Sequence, residues 1–298
     1  MRTGLKWLGR LLAVLVVLLA ALLVAVYVAS DRRMAKIYHI DPNVPPVPTD
    51  ASAIQRGDHV ATIRGCKDCH GADLAGATFI DDPLVARLSG TNLTPGGPGG
   101  KLDNADLVRA IRHGVAPNGR SLLFMPAPEF SHLSEQDMGD LLAYLHSVPA
   151  VAHTPPTNRV GPLGRVLFLA GKIPLLPAEL VDHHAQPAQP VAGSTVAYGA
   201  YLAAACSGCH GAGFSGGHIP GTPPDWPDAA NLTPHPDGLA GWSEADFQKA
   251  LREGIAPGGR ALKTDYMPVR VTKHLTDQEI GALYAYLQSI PGKPRGQH

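Results

Sequence analysis

Two short stretches of this chain are near copies of one another: Gly65-Cys66-Lys67-Asp68-Cys69-His70-Gly71 and, with its first cysteine 140 residues further on, Cys206-Ser207-Gly208-Cys209-His210-Gly211. The surrounding sequence repeats with them. Asn92-Leu93-Thr94-Pro95 returns as Asn231-Leu232-Thr233-Pro234, and ADLVRAIRHGVAPNGR (105–120) returns as ADFQKALREGIAPGGR (245–260). Met125-Pro126 recurs as Met267-Pro268, His132 as His274, and LLAYL from Leu141 as LYAYL from Leu283, these three shifted by 142. A repeat of that length calls for two homologous domains, which 298 residues with 45% apolar side chains have the material to build. The domains are placed at residues 50–150 and 196–292, with a proline-rich connector over 151–195.

Residues 1–36 precede the repeat. Leu11 to Ala29 is an unbroken 19-residue apolar run behind Arg2, Lys6 and Arg10, long enough to span a bilayer and longer than the apolar core of a cleaved signal peptide. The expectation is a retained signal anchor, although Val28-Ala29-Ser30 reads as a possible cleavage site. Arg32, Arg33 and Lys36 follow the run, so flanking charge alone does not orient it. A formal net charge of zero and this apolar content exclude a disordered or nucleic-acid-binding chain.

Each half reads as all-α, helices joined by glycine- and proline-rich loops without strand alternation. Asp103 and Ser243 occupy N-cap positions with Asp106 and Asp246 three residues on, and Gly114 and Gly254 close those helices. Ser134 to Asp137 and Thr276 to Glu279 read as capping boxes. Met138, Leu141, Leu142 and Leu145, like Ile280, Leu283, Tyr284 and Leu287, keep helical spacing until Pro149 and Pro291. In the connector, Val166–Ala170 is too short to span a membrane and is expected to pack on a domain, while His183-His184, lacking matching ligands, is expected to be solvated.

All four cysteines lie in the two motifs, each pair followed at once by histidine. Two cysteines three apart serve zinc, a redox disulfide or covalent attachment of haem. Zinc needs ligands that close a tetrahedron, and these pairs fit no usual finger spacing. A thioredoxin-like site needs βαβ surroundings, and plain disulfides give the histidines no task. On a helical turn Cys66, Cys69 and His70 share one face, so two sulfurs hold the edge of a planar macrocycle while the imidazole reaches its centre. C-x-x-C-H is the attachment pattern of c-type haem.

With CKDCHG, CSGCHG, the two NLTP segments, GWSEADFQKALREGIAPGGR and the Met-Pro segments before LLAYLHSVP and LYAYLQSIP, the chain resembles tandem-domain, membrane-anchored class I c-type cytochromes, similar to the cytochrome subunits of periplasmic alcohol and other dehydrogenases. The resemblance covers about residues 54–149 and 196–291. It implies two class I cytochrome c domains behind an N-terminal transmembrane helix and two covalently attached haems. It also implies attachment outside the cytoplasmic membrane, hence a bacterial inner-membrane protein with both domains on the periplasmic side. Two departures stand out. Those dehydrogenase subunits commonly carry three haem motifs and this chain has two. The glycine that lets two helices cross in the family is not placed equivalently, since Gly57 precedes Cys66 by nine residues and Gly199 precedes Cys206 by seven.

His70 and His210 supply one axial ligand each. Met125 and Met267, 55 and 57 residues after their histidines, are the matched candidates for the other, and the resemblance favours them over His132 and His274, which stand two residues before the capping boxes. The expected haem-binding set is therefore Cys66, Cys69, His70, Met125, Cys206, Cys209, His210 and Met267, with His70, Met125, His210 and Met267 on iron. A thioether ligand favours reduced iron and raises its potential. Arg120 and Arg260 are matched candidates for pairing with haem propionates. The function expected is single-electron transfer without catalysis of its own, from a dehydrogenase or quinol-oxidising complex to an oxidase or soluble cytochrome. The alternatives are a dihaem peroxidase, which needs an open iron, and a haem sensor, which would need a signalling domain.

Overall fold

The computed structural model describes residues 2–188 and 190–297; Met1, one of five methionines, and Gln189 of the connector lie outside that description. The apolar run forms one helix, α1 (Arg2–Met34), whose membrane-length stretch is wholly unburied by the rest of the chain. At 1.5 Å per residue its 33 residues extend roughly 50 Å, more than a hydrocarbon core requires.

The first domain contains α2 (Ala51–Ile63), α3 (Cys66–His70), an antiparallel β1 (Thr78–Asp82) and β2 (Ala86–Ser89), α4 (Asn104–His113), α5 (Ala127–Phe130) and α6 (Glu135–Ser147). In the connector β3 (Arg159–Val160) adds a third strand beside β2, and α7 (Pro162–Leu169) follows. The second domain contains α8 (Val196–Ala203), α9 (Ser207–His210), α10 (Glu244–Glu253), a ribbon of β4 (Ile255–Ala256) and β5 (Arg260–Ala261), α11 (Val269–Thr272) and α12 (Asp277–Ser289). The fold is mostly helical, in two domains built alike, as the repeat predicts; the strands, not expected from sequence, are too short to show alternation. The turn between β1 and β2 is made by Asp82, whose Oδ1 accepts from the amides of Leu84 and Val85.

The caps form where the sequence places them. Asp103 Oδ1 accepts from Asp106 N and Ser243 Oγ from Asp246 N, while Gly114 and Gly254 end their helices at φ of 65° and 69°. Thr276–Glu279 is a full capping box. Ser134–Asp137 is only half of one: Ser134 Oγ caps Asp137 N, but the Asp137 carboxylate instead accepts the hydroxyl of Tyr201 from the other domain.

In each domain the first helix crosses the last. A Cβ at Gly57 would fall on the carbonyl oxygen of Asp140 and against Tyr144; one at Gly199 would fall on that of Ala282 and against Tyr286. The two crossings are therefore equivalent, contrary to the count from the cysteines. The two-residue difference lies within the helix: α2 runs six residues past Gly57, to Ile63, whereas α8 runs four past Gly199, to Ala203, and each reaches its first cysteine three residues later, one through Arg64 and a left-handed Gly65, the other through a 3-10 turn over Ala204–Cys206. Met138, Leu141 and Leu142 of α6 and Ile280, Leu283 and Leu287 of α12 are buried in one apolar core continuous across both domains.

The connector packs on the first domain. Asn158 Oδ1 accepts from Ser89 N, and Phe168 of α7 is buried with Leu175 and Leu176. His183 is not simply solvated: its Nε2 meets the carbonyl of Ala178 and its ring lies 5.3 Å from that of His113.

Candidate functional site

Immediately after each motif the chain makes the same unusual turn. Leu74 and Phe214, 140 apart, both adopt the left-handed conformation, at φ of 59° and 57°, which costs a residue with a Cβ about 1–3 kcal/mol unless its surroundings enforce it. Both side chains are buried in the core, which supplies that enforcement. Their carbonyls accept from Leu93 N and Leu232 N at 2.8 Å, drawing the two NLTP segments against the motifs.

Within those segments Asn92 and Asn231 act as clamps. Asn92 Nδ2 donates to the carbonyls of Val151 and His153 at 2.8 Å, while its Oδ1 accepts from the amide and hydroxyl of Thr94. Asn231 Nδ2 donates to Asp237 Oδ1 and to the carbonyl of Lys293, and its Oδ1 accepts from the same two groups of Thr233. The residue before each clamp is thereby held with its carbonyl on a motif histidine: Thr91 O lies 2.7 Å from His70 Nδ1, and Ala230 O lies 2.8 Å from His210 Nδ1. A carbonyl only accepts, so the proton sits on Nδ1 and the Nε2 lone pair is left for a metal. Burial holds both imidazoles below their ordinary range, in the neutral form a ligand needs.

In the first domain His70, Cys66, Cys69 and Met125 line one cleft of about 980 Å³ including its mouth, walled by apolar side chains such as Leu93, Ile111, Phe130, Leu141 and Leu145. Met125 follows Phe124, a left-handed residue (φ 60°) whose amide donates to the carbonyl of Leu175 in the connector. Met267 and Cys206 pack against the corresponding core of the second domain, and the Met267 amide is bonded to the carbonyl of Lys263. Burial pushes the thiols of Cys66 and Cys206 up to about 11. Among the described residues no three His, Cys, Asp or Glu side chains gather as a metal cluster. Paired sulfurs, a free Nε2 and a thioether on an apolar cleft suit a covalently held haem. His132, His274, Arg120 and Arg260 are exposed, and neither His132 nor Arg120 lines the first-domain cleft.

The repeat also sets up a reciprocal interface between the domains. His59 of α2 and Tyr201 of α8 stand 142 apart, as do Asp137 and Glu279 at the starts of α6 and α12. His59 Nε2 meets Glu279 at 2.8 Å and Tyr201 donates to Asp137, so each first helix reaches the cap of the other domain's last helix. The Met-Pro helices do likewise with the motifs. Arg270 of α11 forms a two-pronged ion pair with Asp68 inside CKDCH, at 2.9 and 3.0 Å, and Glu129 of α5 presses on Gly208 inside CSGCH. Burial pushes the Glu129 carboxyl up to about 7 despite the nearby Arg64. Arg64 lines the first cleft, lies 4.9 Å over the ring of Tyr201 and donates to the carbonyl of Leu202 at 3.3 Å. Sequence reasoning missed Arg64 and Glu129, because alanine and valine occupy their places in the other half.

Comparison with known proteins agrees with this geometry. The cytochrome c family profile matches residues 54–149 and 196–291. The cytochrome c subunit of the quinone alcohol dehydrogenase of Gluconobacter oxydans (strain 621H) is 30% identical over 289 residues, which cover 84% of this chain and 57% of that protein. The gluconate 2-dehydrogenase cytochrome c subunit of Pantoea cypripedii is 31% identical, over 82% of this chain and 61% of its own length. A dihaem cytochrome c-type protein of Cereibacter sphaeroides is 29% identical over 79% of this chain and 85% of its own. The chain thus spans less than two thirds of the length of the dehydrogenase subunits it resembles.

Proposed function

The chain belongs to the cytochrome c family, its two domains each carrying a covalently attached haem, and from that premise we propose that it is a membrane-tethered carrier that takes single electrons from a substrate dehydrogenase and passes them to an oxidase or soluble cytochrome. A c-type haem supplies reversible one-electron exchange at iron. The residues do the rest. Cys66 and Cys69, and Cys206 and Cys209, form the thioether links. The carbonyls of Thr91 and Ala230 hold His70 and His210 with Nε2 free. Met125 and Met267 would supply a thioether to each haem iron, which would leave neither open to substrate. The peroxidase alternative is not retained: the relatives reported above are named as dehydrogenase cytochrome subunits and a dihaem cytochrome.

The observation that carries this reading is the reciprocal docking of each Met-Pro helix on the other domain's motif through Arg270–Asp68 and Glu129–Gly208. It makes each site the other's neighbour, which a two-centre relay requires and a single catalytic centre does not. The match to dehydrogenase cytochrome subunits supports the donor, α1 supports a membrane tether, and covalent haem attachment, which takes place outside the cytoplasm in this family, supports the inner membrane with both domains on the periplasmic side. Purification of the chain from native membranes tests the proposal. A dehydrogenase that co-purifies and reduces both haems on addition of its substrate is the expected result; haems reducible only through a quinol-oxidising complex would overturn the donor.

A further inference from the structure

At the foot of α1 the connector helix α7 is fastened to the anchor. Arg165 Nη1 donates to Ser30 Oγ and Asp31 Oδ1, both at 2.6 Å, and its guanidinium lies 4.2 Å over the ring of Tyr27. Arg33 lies 4.3 Å over the ring of Phe168 and also pairs with Glu179. These contacts span residues 27–33 of α1, and the apolar run ends at Ala29. If α1 spans the bilayer, α7 therefore lies at the depth where hydrocarbon gives way to headgroups.

The two sides of α7 differ. Gly164 and Phe168 are buried against the first domain, whereas Leu163 and Val166 are 45% and 46% exposed, and with Leu167 and Ala170 they form an i, i+3, i+4, i+7 stripe. Leu84, 59% exposed, continues the stripe, since its carbonyl accepts from the Leu163 amide. Exposed Arg32 and Lys36, at and just past the end of α1, and Lys172, three residues past α7, bring positive charge to this end of the molecule. We propose that α7 is a second membrane contact: the Leu163–Val166–Leu167–Ala170 face, with Leu84, sits in the interfacial layer of the bilayer, and these cations meet anionic headgroups. An apolar stripe with cations at the same end of the molecule suits that layer. The continuity of α7 with the membrane end of α1 commits the occupant to lipid. Two points of attachment fix the tilt of the haem domains over the membrane, which one flexible stalk would not. The inference rests on reading α1 as a retained anchor.

The test uses the full-length haem-loaded chain, reconstituted at low protein density into vesicles of phosphatidylethanolamine and phosphatidylglycerol and irradiated with a bilayer-soluble aryl diazirine, followed by peptide mapping. Expected is strong label in α1 and, in peptides carrying Leu163 and Val166, label several-fold above the equally exposed Trp226 and Tyr266 of the second domain. The double variant Leu163→Glu/Val166→Glu should lose the α7 label while keeping the α1 label and both haems. Label in α1 with none above the Trp226 level in α7 would overturn the second contact alone. Absence of label from α1 would overturn the anchor and the inference with it. An α7 label that disappears as the protein-to-lipid ratio rises would place a second copy on that face and also overturn the proposal.

Discussion

Asn92 has no exposed surface and Asn231 only 3%, so neither clamp is a residue that solvent can replace. Asn231→Ala would leave the buried amide of Thr233 without its acceptor and the carbonyl of Lys293 with only the Thr233 hydroxyl, and the loss expected is about 1–3 kcal/mol, read from denaturant unfolding followed by far-ultraviolet circular dichroism. The spectrum should remain that of an attached haem, because the cysteines and His210 are untouched. The methionines answer differently. Met125→Ala and Met267→Ala should each remove part of the weak sulfur-to-iron band in the far red and open one haem to carbon monoxide, whereas His132→Ala and His274→Ala, at exposed positions, should leave the visible spectrum unchanged. At this scale the sequence was most legible where chemistry demands fixed spacing: Cys66, Cys69 and His70 announce themselves by pattern. Arg64 and Glu129 do not. Their repeat positions hold Ala204 and Val271, so comparing the halves discards them, and their burial arises only when two domains dock.

Between residue and molecule, the helix crossings decide how the elements close. Nothing larger than hydrogen fits between α2 and the carbonyl of Asp140, or between α8 and that of Ala282. Gly57→Ala and Gly199→Ala are each expected to force the helices apart and lower stability by about 1–3 kcal/mol, with loss of Soret circular dichroism at a lower temperature than in the wild type. The caps were readable because a side chain and the amide three residues on are local. The half box at Ser134 was not, since the Asp137 carboxylate is drawn to Tyr201, 64 residues away in sequence. The glycine crossings do not show in the count for a related reason: distance along the chain from Cys66 or Cys206 counts residues, and the first helix continues six residues past Gly57 but only four past Gly199 before the chain turns into the motif. Short strands such as β3, two residues long, leave no periodicity to read.

For the whole molecule the question is what keeps two domains in register. The His59–Glu279 pair joins α2 to α12. The carboxylate of Glu279 holds the His59 imidazole above its ordinary range against the opposing effect of burial, with Asp137 and Asp58 adding to the rise. Burial works to raise Glu279, but hydrogen bonds from His59 and the amide of Thr276 outweigh it and leave the carboxyl below its ordinary range. The imidazolium's contribution is complete below the ordinary histidine value near 6.5 and fades as pH rises through the raised one. The carboxylate's is complete above the ordinary value near 4.5 and fades as pH falls through the lowered one. Interdomain docking should thus be firmest between those limits. His59→Gln should flatten the decline in thermal midpoint on the alkaline side, by an amount corresponding to at most about 1 kcal/mol for a pair still a third exposed at the histidine. An unchanged alkaline decline would remove this pair from the account. The repeat made two domains legible; their mutual orientation was not, because it rests on residues that differ between the halves. The central claim is that both irons are closed and serve only to pass electrons, and carbon monoxide titration of the fully reduced, full-length protein tests it most directly: the account predicts no shift of the Soret band at either haem on the timescale of mixing, and rapid stoichiometric binding at even one haem would contradict it.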